Sequence, residues 1–327
     1  MASHMLPHDM QLSNEYRFSR KFIDQYIDTE IRDNADMELK VQEGVQLLSV
    51  WIAKDHGYAS KNARMAQLTS IELEPLVRSL FVGVAYCQTP ELFTSVSAQL
   101  ASRLKFDDKA DSILTVAEML AVLCATDAYD IIKGDASDSL VILSHIPISQ
   151  KLVRYVMQSG YLPPMVCEPD ELKNNYDSGY LTHNDCLVLG KKNGHSGDLC
   201  LDVLNKQNKI AMQLDTAFLS TVEEEPTFDL DTPEKMQQWA QFKKESYQRY
   251  SLIAKQGNKF YLTNKCDMRG RLYAQGYQIT TQGTGFKKGS NRVCTRRIGR
   301  RRTKPINTSH SRSPNGLWRA SHTTSLE

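Results

Sequence analysis

The residues best placed to do chemistry sit together in Lys265-Cys266-Asp267-Met268-Arg269-Gly270-Arg271-Leu272-Tyr273. Two guanidinium forks two residues apart can address successive phosphates along one strand face, and the glycine between them lets backbone come close to something bulky. The same residues also suit an ordinary charged hairpin with an internal Asp-Arg pair. D-x-x-G-R by itself does not choose between the two.

Rival chemistries are weaker. Gly283-Thr284-Gly285-Phe286-Lys287-Lys288-Gly289-Ser290 hints at a phosphate loop but fails the G-x-x-x-x-G-K-[ST] spacing, because Lys288 precedes Gly289. His183 and His195 flank Cys186 in a Gly/Asn-rich stretch that reads as loop rather than as a nucleophile pair. No C-x-x-C pair and no H-x-E occur, and the one H-x-x-x-H spacing, His4 with His8, straddles Pro7. A protein zinc site is therefore not expected. Glu223-Glu224-Glu225 runs into Pro226 and reads as an acidic turn rather than a Mg²⁺ site.

These residues need a scaffold, and 327 residues supply enough chain for two domains or one large one with an ample core. No apolar run approaches the roughly 20 residues that span a bilayer, so no membrane partner is expected. Seven cysteines with no secretory signal ahead of them read as reduced thiols in a cytoplasmic protein. Charge is divided: residues 1–280 carry 29 Lys+Arg against 37 Asp+Glu, whereas 281–327 carry 11 against 1. One end alone could attract polyanions.

Met1-Ala2-Ser3-His4-Met5 resembles a cloning leader, so the native chain is expected to start near Leu6. Residues 6–158 read as a helical N-terminal domain. Phe22, Tyr26 and Ile31 form one stripe, Val41, Val45, Leu48 and Ile52 another, and Pro75 marks a kink or a helix start. Leu140, Ile142 and Ile146 continue the same helical pattern. Residues 159–197 read as irregular β and loop, with a short strand at Cys186-Leu187-Val188-Leu189. Residues 198–256 predict two antiparallel helices. The first is capped by Asp198 and runs through Leu204, Ile210, Leu214 and Phe218; the second starts at Thr232-Pro233 and carries Trp239, Phe242, Tyr247 and Tyr250 beside Lys243, Lys244 and Arg249. Two β-like runs follow in 257–290, Phe260-Tyr261-Leu262 and Leu272-Tyr273-Ala274, with a polar connection between them. Residues 291–327 are expected to be a disordered, non-native basic tail. The fold class is thus mainly α with a small α+β part.

The bend at 267–273 resembles the D-x-R-G-R-x-Y block of single-subunit DNA-dependent RNA polymerases, the phage T7-type and mitochondrial family. Upstream, Pro164-Met165-Val166 with Pro169 resembles that family's P-M-V-x-x-P element, and Gly179-Tyr180 its G-G-Y. Leu204-Asn205-Lys206 and Asp215-Thr216-Ala217 fall where its A-x-N-x-x-Q and I-N-K elements lie, and Gln282-Gly283 with Lys288 resembles the lead into its palm helix. The resemblance covers 160–288 and is diffuse before that.

The resemblance implies a thumb-like hairpin at 198–256 and an incomplete palm at 257–290. It also implies that Arg269 and Arg271 contact template and the start of the RNA–DNA hybrid, that Asp267 orients them and that Gly270 permits close approach. Lys243, Lys244 and Arg249 would lie along the nucleic-acid path, a role that competes with an ordinary solvated helix face. The family's metal-binding aspartates have no counterpart here. No catalytic residue is assigned to this chain, which is expected to be inactive alone, with Mg²⁺ bound mainly by a partner. The resemblance implies either the N-terminal part of one polymerase or, the preferred reading, a split polymerase in the cytoplasm of a phage-infected bacterium, its partners a catalytic subunit, template DNA, nascent RNA and a recruiting DNA-binding protein. A helical nucleic-acid-binding or adaptor protein that binds through its basic tail is the alternative.

Overall fold

In the computed structural model the described residues are 5–104, 106–134, 139–159, 161–189, 197–222, 226, 228–284, 287–288 and 290–294. About 52% of the described residues are helical, with a few small sheets, which makes the fold mainly α with a minor β part. No described helix is long and apolar enough to cross a membrane.

The first half stacks α1 (Pro7–Phe18), α2 (Arg20–Arg32), α3 (Ala35–Ala53), α4 (Ala59–Leu68) and α5 (Leu73–Val84). Next come β1 (Glu91–Leu92), α6 (Phe93–Leu100), α7 (Lys109–Leu123), β2 (Tyr129–Lys133), β3 (Leu140–Ser144) and α8 (Gln150–Val156). Asn34 and Asp108 cap α3 and α7 by accepting from the backbone two and three residues on. Pro75 lies in the first turn of α5, where its missing N–H has no helical partner to lose. Val77, Leu80 and Phe81 of α5 are fully buried against Val41 and Leu48 of α3 and Val116, Met119 and Leu120 of α7, forming the larger core.

Two expectations change here. On α2 the buried stripe is Ile23, Ile27 and Ile31, while Tyr26 is exposed. The β-branched side chains prefer the core, and the aromatic rings move to its rim. Residues 129–133 and 140–144 are not helical: β2 and β3 pair antiparallel, and β1 pairs with the far side of β3. Runs such as Ile131-Ile132 and Val141-Ile142 are β-branched on both faces, which suits a pleated surface better than a helix.

The second half has a separate set of cores. It comprises β4 (Val188–Leu189), α9 (Leu201–Asn208), β5 (Met212–Leu214), α10 (Thr216–Thr221), α11 (Pro233–Lys255), β6 (Asn264–Asp267), β7 (Leu272–Ala274) and β8 (Asn291–Val293). Phe260 and Ile253 are fully buried with Leu214 and Ile279. The central strand β6 pairs in parallel with β4 and antiparallel with β7. Thr232 caps α11 through Lys235 N, with Pro233 in the first turn, as the sequence predicts.

The helical hairpin of 198–256 is not continuous. Its first arm divides into α9, whose N-cap is Cys200 rather than Asp198, then β5, then α10 recapped by Asp215. Met212 and Leu214 turn inward with Gln213 between them, a two-residue period that a helix cannot satisfy. The acidic turn at 223–225 lies outside the described residues. Nor does the basic tail begin at 291: Asn291, Arg292 and Val293 pair with Leu214, Gln213 and Met212. Residues 295–327 lie outside the described part. Phe260 and Tyr261 make only single bridges, to Met212 and Met165, and the strand occupies the connection read as polar, because Cys266 packs inward with Cys186 and Val188.

Candidate nucleic-acid interface

β6 and β7 close over Met268-Arg269-Gly270, a three-residue hairpin loop whose last residue must take a left-handed conformation. Gly270 does so at φ +76°, and no atom stands within 4 Å of where its Cβ would be. The glycine thus serves the backbone conformation rather than close packing inside the protein, and it leaves the convex side open.

One carboxylate organises the loop. Asp267 Oδ1 accepts from the backbone N–H of Arg269 at 2.9 Å and of Arg271 at 3.0 Å, and Oδ2 accepts from Arg271 Nε at 2.7 Å. Arg269 Nε lies 3.5 Å from the same oxygen, and the Tyr273 hydroxyl donates to it at 3.4 Å. The guanidinium of Arg271 sits 5.7 Å from the Tyr273 ring centroid. The Asp267 carboxylate is largely enclosed at 15% exposure, whereas the side chains of Arg269 and Arg271 are 74% and 54% exposed. Two cationic forks therefore project into solvent from a base that holds them in register.

Loss of water around the Asp267 carboxylate pushes its pKa up. The Arg271 backbone N–H and guanidinium and the Tyr273 hydroxyl outweigh that, so the net direction is down from the ordinary 3.8. A carboxyl with a depressed folded pKa supports the loop at all pH above its unfolded value and releases it as pH falls through the folded one. Following the Asp267 side-chain carbonyl ¹³C shift against pH should give a midpoint below 3.8. A midpoint above 3.8 would remove Asp267 as the organiser.

Of the other resemblance residues, Gln282 bonds this hairpin directly, and Met165 and Asn205 make backbone ties elsewhere in the same half. Met165 exchanges two backbone bonds with Tyr261, at 3.0 and 2.7 Å. The Asn205 amide bonds both Leu172 N and Leu172 O. Gln282 acts on the open edge of β7 like a neighbouring peptide, accepting from Ala274 N at 3.2 Å and donating to Leu272 O at 2.8 Å. Lys265 is buried and ion-paired with Asp185, which anchors β6 behind the loop.

The basic group on α11 separates. Lys244 is exposed, and Lys243 is half-buried with its ammonium 5.8 Å from the Trp239 ring centroid. Arg249 turns inward instead. Its guanidinium donates to the carbonyls of Gln158 and Tyr161 and lies 4.1 Å from the Phe18 ring centroid. Burial pushes its pKa down to about 10, still far above neutrality, so it is a cation committed to the interior. Arg249 is only 7% exposed, so its charge faces the interior rather than the solvent side of α11, unlike the largely exposed forks of Arg269 and Arg271.

Sequence reasoning missed Glu15, a fully buried carboxylate that accepts from Leu181 N and Thr182 N at 3.1 and 2.9 Å and so ties α1 to the turn after Gly179-Tyr180. A Gln11-Glu15 pair one helical turn apart was its only local trace. Among the described residues no three His, Cys, Asp or Glu side chains converge as a metal-holding group. His183 sits under the Tyr180 ring rather than beside Cys186, with its pKa pushed down by burial. His195 and Gly285, Phe286 and Gly289 of the rival phosphate loop lie outside the described residues. No protein-family model matches the chain, and no curated protein matches it in sequence.

Proposed function

We propose that this chain is the non-catalytic subunit, or N-terminal part, of a phage DNA-directed RNA polymerase. In this reading it holds template DNA and the RNA–DNA hybrid while a partner chain supplies the two-metal nucleotidyl-transfer site. The subunit organisation would resemble the heterodimeric RNA polymerase II of bacteriophage N4, with this chain in the place of the smaller subunit. The observation that carries the reading is the pair of solvent-facing guanidinium forks at Arg269 and Arg271, fixed by Asp267 on a hairpin whose glycine keeps its outer side open. Paired phosphate contacts of this kind position a strand rather than read its sequence. Mg²⁺ would be held mainly by the partner's carboxylates and would stabilise charge at the transferring phosphoryl group; this chain's part is to orient the template. Thumb and palm roles for 198–256 and 257–290 belong to the same reading.

The test is reconstitution with a candidate partner that carries the missing palm aspartates. Co-purification and recovery of template-dependent nucleotide incorporation are expected, with neither chain active alone. Nucleic-acid binding confined to residues 291–327, without any incorporation, would replace this reading with the adaptor.

A further inference from the structure

A second feature of the same half of the molecule also suits nucleic acid. Tyr161 and Tyr277 stack with ring centroids 4.2 Å apart and planes 12° from parallel. Phe242 of α11 meets Tyr277 edge-on at 5.7 Å and stacks on Trp239 at 5.5 Å. Lys287 places its ammonium 4.3 Å from the Tyr277 centroid and 5.1 Å from that of Phe242. Tyr161 and Tyr277 remain 50% and 40% exposed, although each is held by buried neighbours. The carbonyl of Tyr161 accepts from Arg249, and Tyr277 precedes buried Gln278 and Ile279 in a turn where a Cβ on Gly276 would lie 2.1 Å from Ile279 O.

The rings border a cleft of about 860 Å³ that Tyr161, Phe242 and Tyr277 share with Gln237, Gln241 and the outer face of β2. Glu91 and Glu245 also face this cleft against one cation, Lys133, so its lining carries a net negative charge that disfavours phosphate inside it. A neutral flat group with hydrogen-bonding edges fits, and its anionic backbone would stay outside with Lys243, Lys244 and Lys287.

We propose that Tyr161 and Tyr277, with Lys287 and the amides of Gln237 and Gln241, form a stacking platform for an unpaired base of single-stranded nucleic acid. Aromatic rings beside cations bind single strands because every base has a π-face, and glutamine can pair with a base edge. The platform and the arginine loop lie within one strand's reach. Arg271 and Tyr277 are six residues apart, at most about 20 Å of chain, which about six nucleotides cover at ~3.4 Å each. This inference rests on the nucleic-acid role proposed above and adds to it where the unpaired strand goes.

The experiment measures binding of fluorescein-labelled oligothymidylate by the full chain across a salt series. Tyr161→Ala is expected to weaken binding about tenfold and leave the salt slope unchanged, because the lost contact is uncharged. Tyr161→Phe should bind like the parent. An Arg269→Ala/Arg271→Ala double variant should lower the slope itself. Parent-like binding by Tyr161→Ala beside a weakened arginine variant would overturn the platform and leave the arginine loop standing. Failure of the parent to bind any single strand would overturn both. Circular dichroism and melting of each variant separate these outcomes from unfolding.

Discussion

Arg271→Ala, assembled with the catalytic partner, is expected to lower nucleotide incorporation by about 10- to 100-fold without changing the melting temperature. The side chain is more than half exposed, so its truncation opens no core cavity. What the proposed role would lose is a charge-assisted contact to a phosphate, worth about 1.5–3 kcal/mol where the acceptor is charged, or one to two powers of ten in rate. Arg271→Lys should restore little, because an ammonium cannot reproduce the planar fork that Asp267 holds through Nε. Asp267→Asn probes the same geometry from behind: both arginines remain, but the acceptor for two backbone N–H groups and a guanidinium loses its charge. Its loss should be smaller than that of Arg271→Ala and should come with faster hydrogen exchange at the Arg269 and Arg271 amides, the two that the carboxylate holds. The salt slope for template binding should fall by about 0.7–0.9 for Arg271→Ala and stay near the parent's for Asp267→Asn. Normal incorporation by the Arg271→Ala complex would remove the site assignment.

This loop could be read from sequence because everything that shapes it lies within seven residues: the acceptor, the left-handed glycine and both forks. Thr232-Pro233 was legible for the same reason, since a helix start is specified by the residues at that start. Features set by distant partners were not. Met212 and Leu214 become a strand because β8, more than seventy residues later, pairs with them, and nothing local to 201–219 forbids a helix. Residues 140–146 carry apolar side chains at steps that fit both periods, and the pairing of Val141 and Ile142 with Ile132 and Ile131 decides between them. The Tyr161–Tyr277 stack joins residues more than a hundred positions apart, and no spacing rule reaches that far. Arg249 is the intermediate case. Ser246, Tyr250 and Ile253 define a buried face of α11 at helical spacing, and Arg249 lies on it. Weighing that stripe before the charge would have placed the guanidinium inside.

That placement gives Arg249→Ala the opposite signature to Arg271→Ala. Removing the side chain leaves the Gln158 and Tyr161 carbonyls without their donor and uncovers the Phe18 ring beneath it. Each carbonyl deprived of its partner costs about 1–3 kcal/mol, so with the lost packing the expected destabilisation is about 3 kcal/mol. At ~2–4 °C per kcal/mol, a fall in melting temperature of about 6–12 °C should follow. Arg249→Met separates the two contributions. A methionine stem can still cover Phe18 but donates no hydrogen bond, so it should recover a minority of the loss. Arg249→Lys keeps the charge but cannot span both carbonyls as a fork does, and should fall between alanine and the parent. For the protein that remains folded at low temperature, the salt slope of nucleic-acid binding should match the parent's, because this guanidinium neutralises no phosphate. An unchanged melting temperature with a reduced slope would return Arg249 to the nucleic-acid path and require α11 to present a different face to solvent.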